Sequence, residues 1–272
     1  MAIRLAVRPD GGLNLRNDGR LAVSDNAFTL EAWPAVTDRS LSFPNRTIFP
    51  ANMVPANTSF VLNMALKPNY AANYSYNGQT YTDSNNAQYA AYQDGVFRIL
   101  CYPGQTLITN LASGKSITLQ PFAGGVWGFL TITYDFSTAT FTGYKNGVRA
   151  DLSTGSGQRT DMTTFPALSA LNLGFVPSSP TVNAFIGEID DVRVGVGFSL
   201  SAAQVASTYN VRSYQLAGIG SYFGAWSFDT LTGTVGTAFP GYEDVTGNNR
   251  RIIVSAGMVF NTQTTPSTAP FA

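Results

Sequence analysis

The 272-residue chain contains no histidine and a single cysteine, Cys101. Without imidazole there is no Ser-His-Asp triad, no zincin motif and no histidine general base. One cysteine excludes an internal disulfide and every multi-cysteine zinc or iron–sulfur site. Charge is scarce too. Only 12% of residues are charged, and 16 Lys+Arg balance 16 Asp+Glu to a net charge of zero. A nucleic-acid binder needs a basic face to neutralise phosphates, so no nucleic-acid partner is expected. No apolar run approaches the ~18 residues of a spanning helix, so no membrane span is expected. The first residues, Met1 to Asp10, carry no apolar h-region, which argues against an ordinary secretory route. Carboxylate chemistry, or no chemistry, is left.

What is present points to β structure. Hydrophobic residues make up 44% of the chain, with Phe 18, Tyr 13 and Trp 3, while Gly 26 and Pro 14 supply turns. Short alternating segments recur: Ser59 to Leu66, Gly95 to Tyr102, Ser116 to Leu119, Trp127 to Asp135, Thr138 to Tyr144, Leu171 to Phe175 and Ala184 to Val196. Period two places Phe60, Leu62, Met64 and Leu66 on one face, and Leu130, Ile132 and Tyr134 on another. Asn146-Gly147 accepts the positive φ angles of a type I′ hairpin turn. Regular strands without long helical periods predict an all-β, antiparallel sandwich. The one helical signal is Ser201-Ala202-Ala203-Gln204, a capping box opening a short helix that packs Val205 and Tyr209 on a sheet end. The three tryptophans, Trp33, Trp127 and Trp226, sit in strand patterns and read as core.

The stretch Asn69 to Gln93 differs. It is polar, poor in aliphatics and rich in tyrosine: Tyr70, Tyr74, Tyr76, Tyr81, Tyr89 and Tyr92. It reads as a long irregular insertion. Tyr beside Asn and Ser supplies rigid amphipathic contact area, so these six tyrosines are the candidate ligand or partner contacts.

From Trp127 onward the order of motifs resembles the laminin-G-like, concanavalin-A-like lectin/glucanase superfamily. The residues are Trp127, Thr131-Ile132-Thr133-Tyr134-Asp135, Tyr144-Lys145-Asn146-Gly147 and Leu171-Asn172-Leu173-Gly174. Phe185-Ile186-Gly187-Glu188-Ile189-Asp190-Asp191-Val192-Arg193-Val194 and Leu200-Ser201-Ala202-Ala203-Gln204-Val205 follow. Upstream, Phe28-Thr29-Leu30-Glu31-Ala32-Trp33 is similar to the family's Phe-Thr-x-Glu-x-Trp strand. The resemblance implies a concanavalin-A-like jelly-roll sandwich with one short helix. Gly224-Ala225-Trp226-Ser227-Phe228-Asp229 and Asp244-Val245-Thr246-Gly247-Asn248-Asn249 resemble the family's opening strand, displaced behind the helix. The expected organisation is therefore an arm with a first strand over 1–26, a sandwich over 27–213, and strands completing it plus a Pro-rich tail over 214–272. Alternatively, the last strands pack on a neighbouring subunit.

The resemblance also allows chemistry. Family members often hold Ca²⁺ through acidic side chains and carbonyls, which nominates Asp135, Asp190, Asp191, Asp229 and Asp244, with Asn248 nearby. Related glucanases carry three carboxylates on one strand. Here Glu188 and Asp190 share a face, the third acid is missing and Arg193 stands close by. An arginine cannot act as general acid, so hydrolysis is disfavoured. Two expectations remain. One is a non-enzymatic structural or decoration protein of a bacteriophage virion, on capsid or tail, made in the host cytoplasm and contacting itself and other virion proteins. The other is a glycan-binding, lectin-like adhesion module, extracellular in location, that uses the tyrosine-rich stretch.

Overall fold

The computed structural model describes residues 52–70, 87–169, 171–179, 182–209 and 223–226 in full, and only the backbone of the short strands named outside those ranges. The chain forms two compact units, residues 1–36 and 37–272. In the first, β1 (Asn14–Leu15) pairs antiparallel with β2 (Leu21–Ala22).

The second unit begins with β3 (Arg39–Phe43), β4 (Thr47–Ile48), β5 (Phe60–Pro68), β6 (Asn73–Tyr76), β7 (Gln79–Thr82) and β8 (Gln88–Gln93). It continues with β9 (Phe97–Cys101), β10 (Thr106–Asn110), β11 (Lys115–Leu119), β12 (Gly128–Asp135), β13 (Thr140–Lys145), β14 (Val148–Arg149) and β15 (Gln158–Arg159). Then come β16 (Asn172–Leu173), β17 (Gly187–Val196), the helix α1 (Ala202–Tyr209), β18 (Gln215–Leu216), β19 (Gly220–Ser221), β20 (Gly224–Trp226), β21 (Ile253–Val254) and β22 (Phe260–Thr262).

The strands build an antiparallel jelly-roll sandwich. One sheet runs β11-β10-β9-β8-β16-β4-β21, and the other runs β14-β13-β12-β5-β17-β3-β22 with β15 on β13 and β20 on β17. The C-terminal strands thus join both sheets: β21 pairs β4, while β20 and β22 pair β17 and β3. Alternation fills the space between. Phe60, Leu62, Met64 and Leu66 of β5, Leu130, Ile132 and Tyr134 of β12, and Ile99, Ile108 and Ile117 of the facing sheet form one buried core with Trp226. Phe165 lies at its centre, with ring centroids 4.9 Å from Phe60, 5.2 Å from Tyr134, 5.7 Å from Phe141 and 5.9 Å from Phe97. Where the sheets converge, a Cβ on Gly143 would meet Leu119 Cδ1 at 2.9 Å, so only glycine lets β13 approach β11 this closely.

The segment between β14 and β15 closes one side. Thr118 donates to the Ser156 carbonyl at 2.8 Å and Gln120 to that of Ala150 at 2.8 Å, while β15 pairs with β13. The hairpin turn is as its sequence dictates: Asn146 has φ 53° and Gly147 φ 76°. Asn146 Oδ1 also accepts from the Phe129 amide at 2.8 Å.

The stretch from Asn69 to Gln93 departs from the expected irregular insertion. Its β6 and β7 form their own two-stranded ladder, and β8 is an interior strand of the smaller sheet. Tyrosine and threonine favour strands, and Asn77-Gly78 is the same turn dipeptide as Asn146-Gly147.

Candidate functional site

The larger sheet turns its outer face toward α1. Cross-strand partners Thr131, Asn63, Arg193 and Ala225 form one row on that face, from β12 through β5 and β17 to β20. Val61, Tyr144, Leu200 and Val205 make a second, smaller core there, fastening the helix to the sheet. The capping box is formed: the Ser201 amide donates to Gln204 Oε1 at 2.8 Å, and the Gln204 amide to Ser201 Oγ at 3.3 Å. Tyr209 reaches Phe129 at 6.1 Å between centroids.

Beneath the helix, β17 carries a bulge. Asp190 opposes Ala65 and Arg193 opposes Asn63, so Asp191 and Val192 together face Met64 alone. Asp191 takes the strained φ of 49° that the bulge needs. The extra residue lets Val192 point into the core while Arg193 points out. Arg193 is fully buried, grips Asp191 with Nε at 2.9 Å and Nη2 at 2.6 Å, and lies 6.0 Å from the Phe129 ring centre. Asp190 accepts from the Asp191 amide at 2.6 Å. Glu188 forms an ion pair with Lys67 at 2.9 Å, and the Lys67 ammonium sits 5.8 Å from the centre of the half-buried Trp127 ring. The three acids of this strand are thus engaged in holding structure.

Asp135 is engaged as well. Its Oδ1 accepts from the Ser137 hydroxyl at 2.7 Å and the Ser137 amide at 2.9 Å, and the hydroxyl bond holds the carboxyl below its ordinary pKa. Asp135 lies six residues along β12 from Phe129, and Phe129 and Asp190 both pair with Ala65. That is about 20 Å of strand, so Asp135 and the Asp190–Asp191 pair do not share one ion. Among the described residues no group of three His, Cys, Asp or Glu is placed to hold a metal. Asp229, Asp244 and Asn248 lie outside the described residues, as does Trp33. Trp226 is buried in the core.

The tyrosines separate into three places. Tyr70 is half-buried and donates to the Phe122 carbonyl at 3.0 Å, which fixes the turn before Trp127. Tyr74 opposes Tyr81, and Tyr76 opposes Gln79, in the β6–β7 ladder. Tyr89 and Tyr92 lie together on β8, their rings edge to face at 5.4 Å and 78°. A separation of three would ordinarily put them on opposite faces. A register shift between Tyr89 and Ala91 changes this: Ala90 and Ala91 both enter the core, and both tyrosines stay half-exposed outside. Nothing in the side-chain pattern announces that bulge.

Around the tyrosine pair the outer row of the smaller sheet reads Asn172, Tyr92, Arg98, Thr109 and Ser116, each the cross-strand partner of the next. The Tyr92 hydroxyl donates to Asp94 Oδ1 at 2.8 Å. Partial burial, followed by Asp94, pushes its pKa up to about 12, so it stays a neutral donor. Arg98 Nε donates to Thr109 Oγ1 at 3.4 Å. Two aromatic faces bordered by a carboxylate, a guanidinium and hydroxyls can stack and hydrogen-bond a ligand.

No protein-family model matches the chain, and no curated protein matches its sequence. Solved structures do resemble it. A Bacteroides ovatus ATCC 8483 protein assigned provisionally to carbohydrate binding is 15% identical with a TM-score of 0.60, over 84% of this chain and 60% of that one. The chain thus spans about three fifths of the length of that structure. A heptameric SAP-like pentraxin from Limulus polyphemus is 16% identical with a TM-score of 0.48, over 83% and 98% of the two chains. The CBM40 of Ruminococcus gnavus IT-sialidase is 10% identical with a TM-score of 0.40, over 62% and 96%. At 15% identity the likeness to the Bacteroides ovatus structure is one of fold, an all-β jelly-roll sandwich.

Proposed function

We propose that this chain is a non-catalytic glycan-binding sandwich that takes sugars on the outer face of its smaller sheet. The observation that carries the reading is the Tyr89–Tyr92 pair, held edge to face with Asp94 and Arg98 at its border. The apolar face of a pyranose ring packs on an aromatic face, while its hydroxyls need donors and acceptors at the edge. The carbohydrate-binding assignment of the Bacteroides ovatus neighbour is in keeping with this. Absence of catalysis is part of the proposal: Glu188, the acid nearest a hydrolase pattern, is tied to Lys67. A glycan array probed with the full chain tests it. Saturable binding of at least one printed glycan that falls at least tenfold in Tyr89→Ala/Tyr92→Ala is expected. An array with no saturable signal overturns the reading, and so does hydrolysis of a bound saccharide that stops in Glu188→Gln.

A second reading, a surface protein of a virion, is supported by Cys101. The fold buries its one thiol and makes no use of a disulfide, as suits assembly in a reducing compartment. Mass photometry of the purified chain checks the self-association this reading requires.

A further inference from the structure

A groove of about 700 Å³ opens on the other sheet, between α1 and strands β12, β13 and β14. That volume lies in the range of small-molecule sites, roughly 300–1,000 Å³. Its floor is the cross-strand pair Thr133 and Thr142, both on the outer face of the sheet and mostly buried. One wall is the start of the helix, with Ser199, Ser201 and Gln204, held in place because Leu200 is buried beside Val61 and Val205. Arg149 and Gln158 close one end, and Asp135 and Thr140 line the groove as well.

The groups that line it differ in how far they are committed. Arg149 is bound twice, by Asp151 Oδ2 at 2.9 Å and by Gln158 Oε1 at 2.9 Å. Asp135 is bound by the Ser137 hydroxyl and amide at 2.7 and 2.9 Å. Both ions are thus already hydrogen-bonded within the protein, so a charged ligand gains less from either than it would from an unpartnered ion. The threonine and serine hydroxyls can each donate and accept at once, as a sugar hydroxyl does. The partnered charges therefore favour ionic ligands little, and the hydroxyls favour polyhydroxyl ones.

We infer that this groove is a second binding site, specific for neutral saccharides, which recognises hydroxyl groups through Thr133 and Thr142. The inference rests on the glycan-binding reading above and adds to it a separate site and a ligand class. Asp135, whose carboxyl the Ser137 hydroxyl holds below its ordinary pKa, supplies an acceptor at the rim.

The test is one glycan array printed with unsubstituted hexose oligomers and with their sialylated and sulfated forms. It is probed with the wild-type chain, Thr133→Val/Thr142→Val and Tyr89→Ala/Tyr92→Ala. Valine keeps the branched shape and removes the hydroxyl, and thermal melting confirms that each variant is folded. Neutral signals are expected to fall at least tenfold in the threonine variant and to persist in the tyrosine variant. Gln158→Ala, at the half-exposed end of the groove, should weaken the same neutral signals several-fold and serves if the threonine variant does not fold. Neutral binding that survives both Thr133→Val/Thr142→Val and Gln158→Ala overturns the inference and leaves the tyrosine site standing. So does a groove-dependent signal carried only by the sialylated or sulfated forms. No glycan signal from the wild type overturns both.

Discussion

Arg193 has no exposed surface, and its guanidinium is bonded twice to a carboxylate two residues away, within the bulge of β17. Removing one partner of such a pair strands the other in a low dielectric, which costs about 3–5 kcal/mol. Asp191→Ala should therefore lower the urea midpoint by that equivalent, and Asp191→Asn by less, because an amide still fills the bulge. Cys101 gives a different readout. It is buried, and desolvation raises its thiol to about 12. It should stay unreactive toward a thiol reagent such as DTNB in the native protein and react only at the rate of global unfolding. Labelling at native conditions faster than unfolding would contradict its placement. Asp135 sets a pH dependence. Its carboxyl titrates below the ordinary value in the folded chain, chiefly through the Ser137 hydroxyl, so its contribution is present above the unfolded pKa of about 4. That contribution is lost as pH falls through the lower, folded value. Asp135→Asn should lower stability near neutrality by that contribution and flatten the acid limb, with little change at the lowest pH, where the wild-type carboxyl is itself protonated.

At the scale of elements, α1 shows a local signal that survives folding intact. Ser201 and Gln204 cap it as their spacing predicts, and Val205 is its buried anchor. Ser201→Ala should cost about 1 kcal/mol, read as a small drop in melting temperature. Because the groove wall begins at Ser201, the same variant should also loosen that wall. Among the described residues several strands were legible from alternation: β5, β12 and β13 lie within the segments Ser59 to Leu66, Trp127 to Asp135 and Thr138 to Tyr144 or within two residues of them, while Phe28 to Trp33 lies outside the described residues. The bulges were not legible. Asp190-Asp191 and Tyr89-Ala90-Ala91 read as ordinary period-two strand, yet one extra residue in each decides which side chains share a face. Of the site, tyrosine enrichment named Tyr89 and Tyr92 but not their pairing. The groove was not legible, because the pairing of Thr133 with Thr142 depends on the β12–β13 register and the helical wall comes from Ser199 to Gln204, far along the chain.

For the whole molecule, fold class followed from alternation and from the ordered turns, since period two with one apolar face leaves few alternatives to a sandwich. The filling of the sandwich did not. Met162, Phe165, Leu168 and Leu171 enter the core from a segment outside the strands, spaced by three rather than two. Hydrogen bonds to the loop at Val54 and Asn57 hold that segment in place. Phe165 touches aromatic rings from strands of both sheets, so Phe165→Ala should cost about 3–5 kcal/mol, measured by equilibrium unfolding.

The segment that caps β11 bears on how copies of this chain could meet. Over Thr118–Gln120 the outward-pointing amides and carbonyls already bond Ala150, Leu152 and Ser156. A visiting strand from another chain would find that border occupied and could not extend the sheet there. Any lateral union on this flank must be made by side chains, so point substitutions can tune it while the backbone stays as it is.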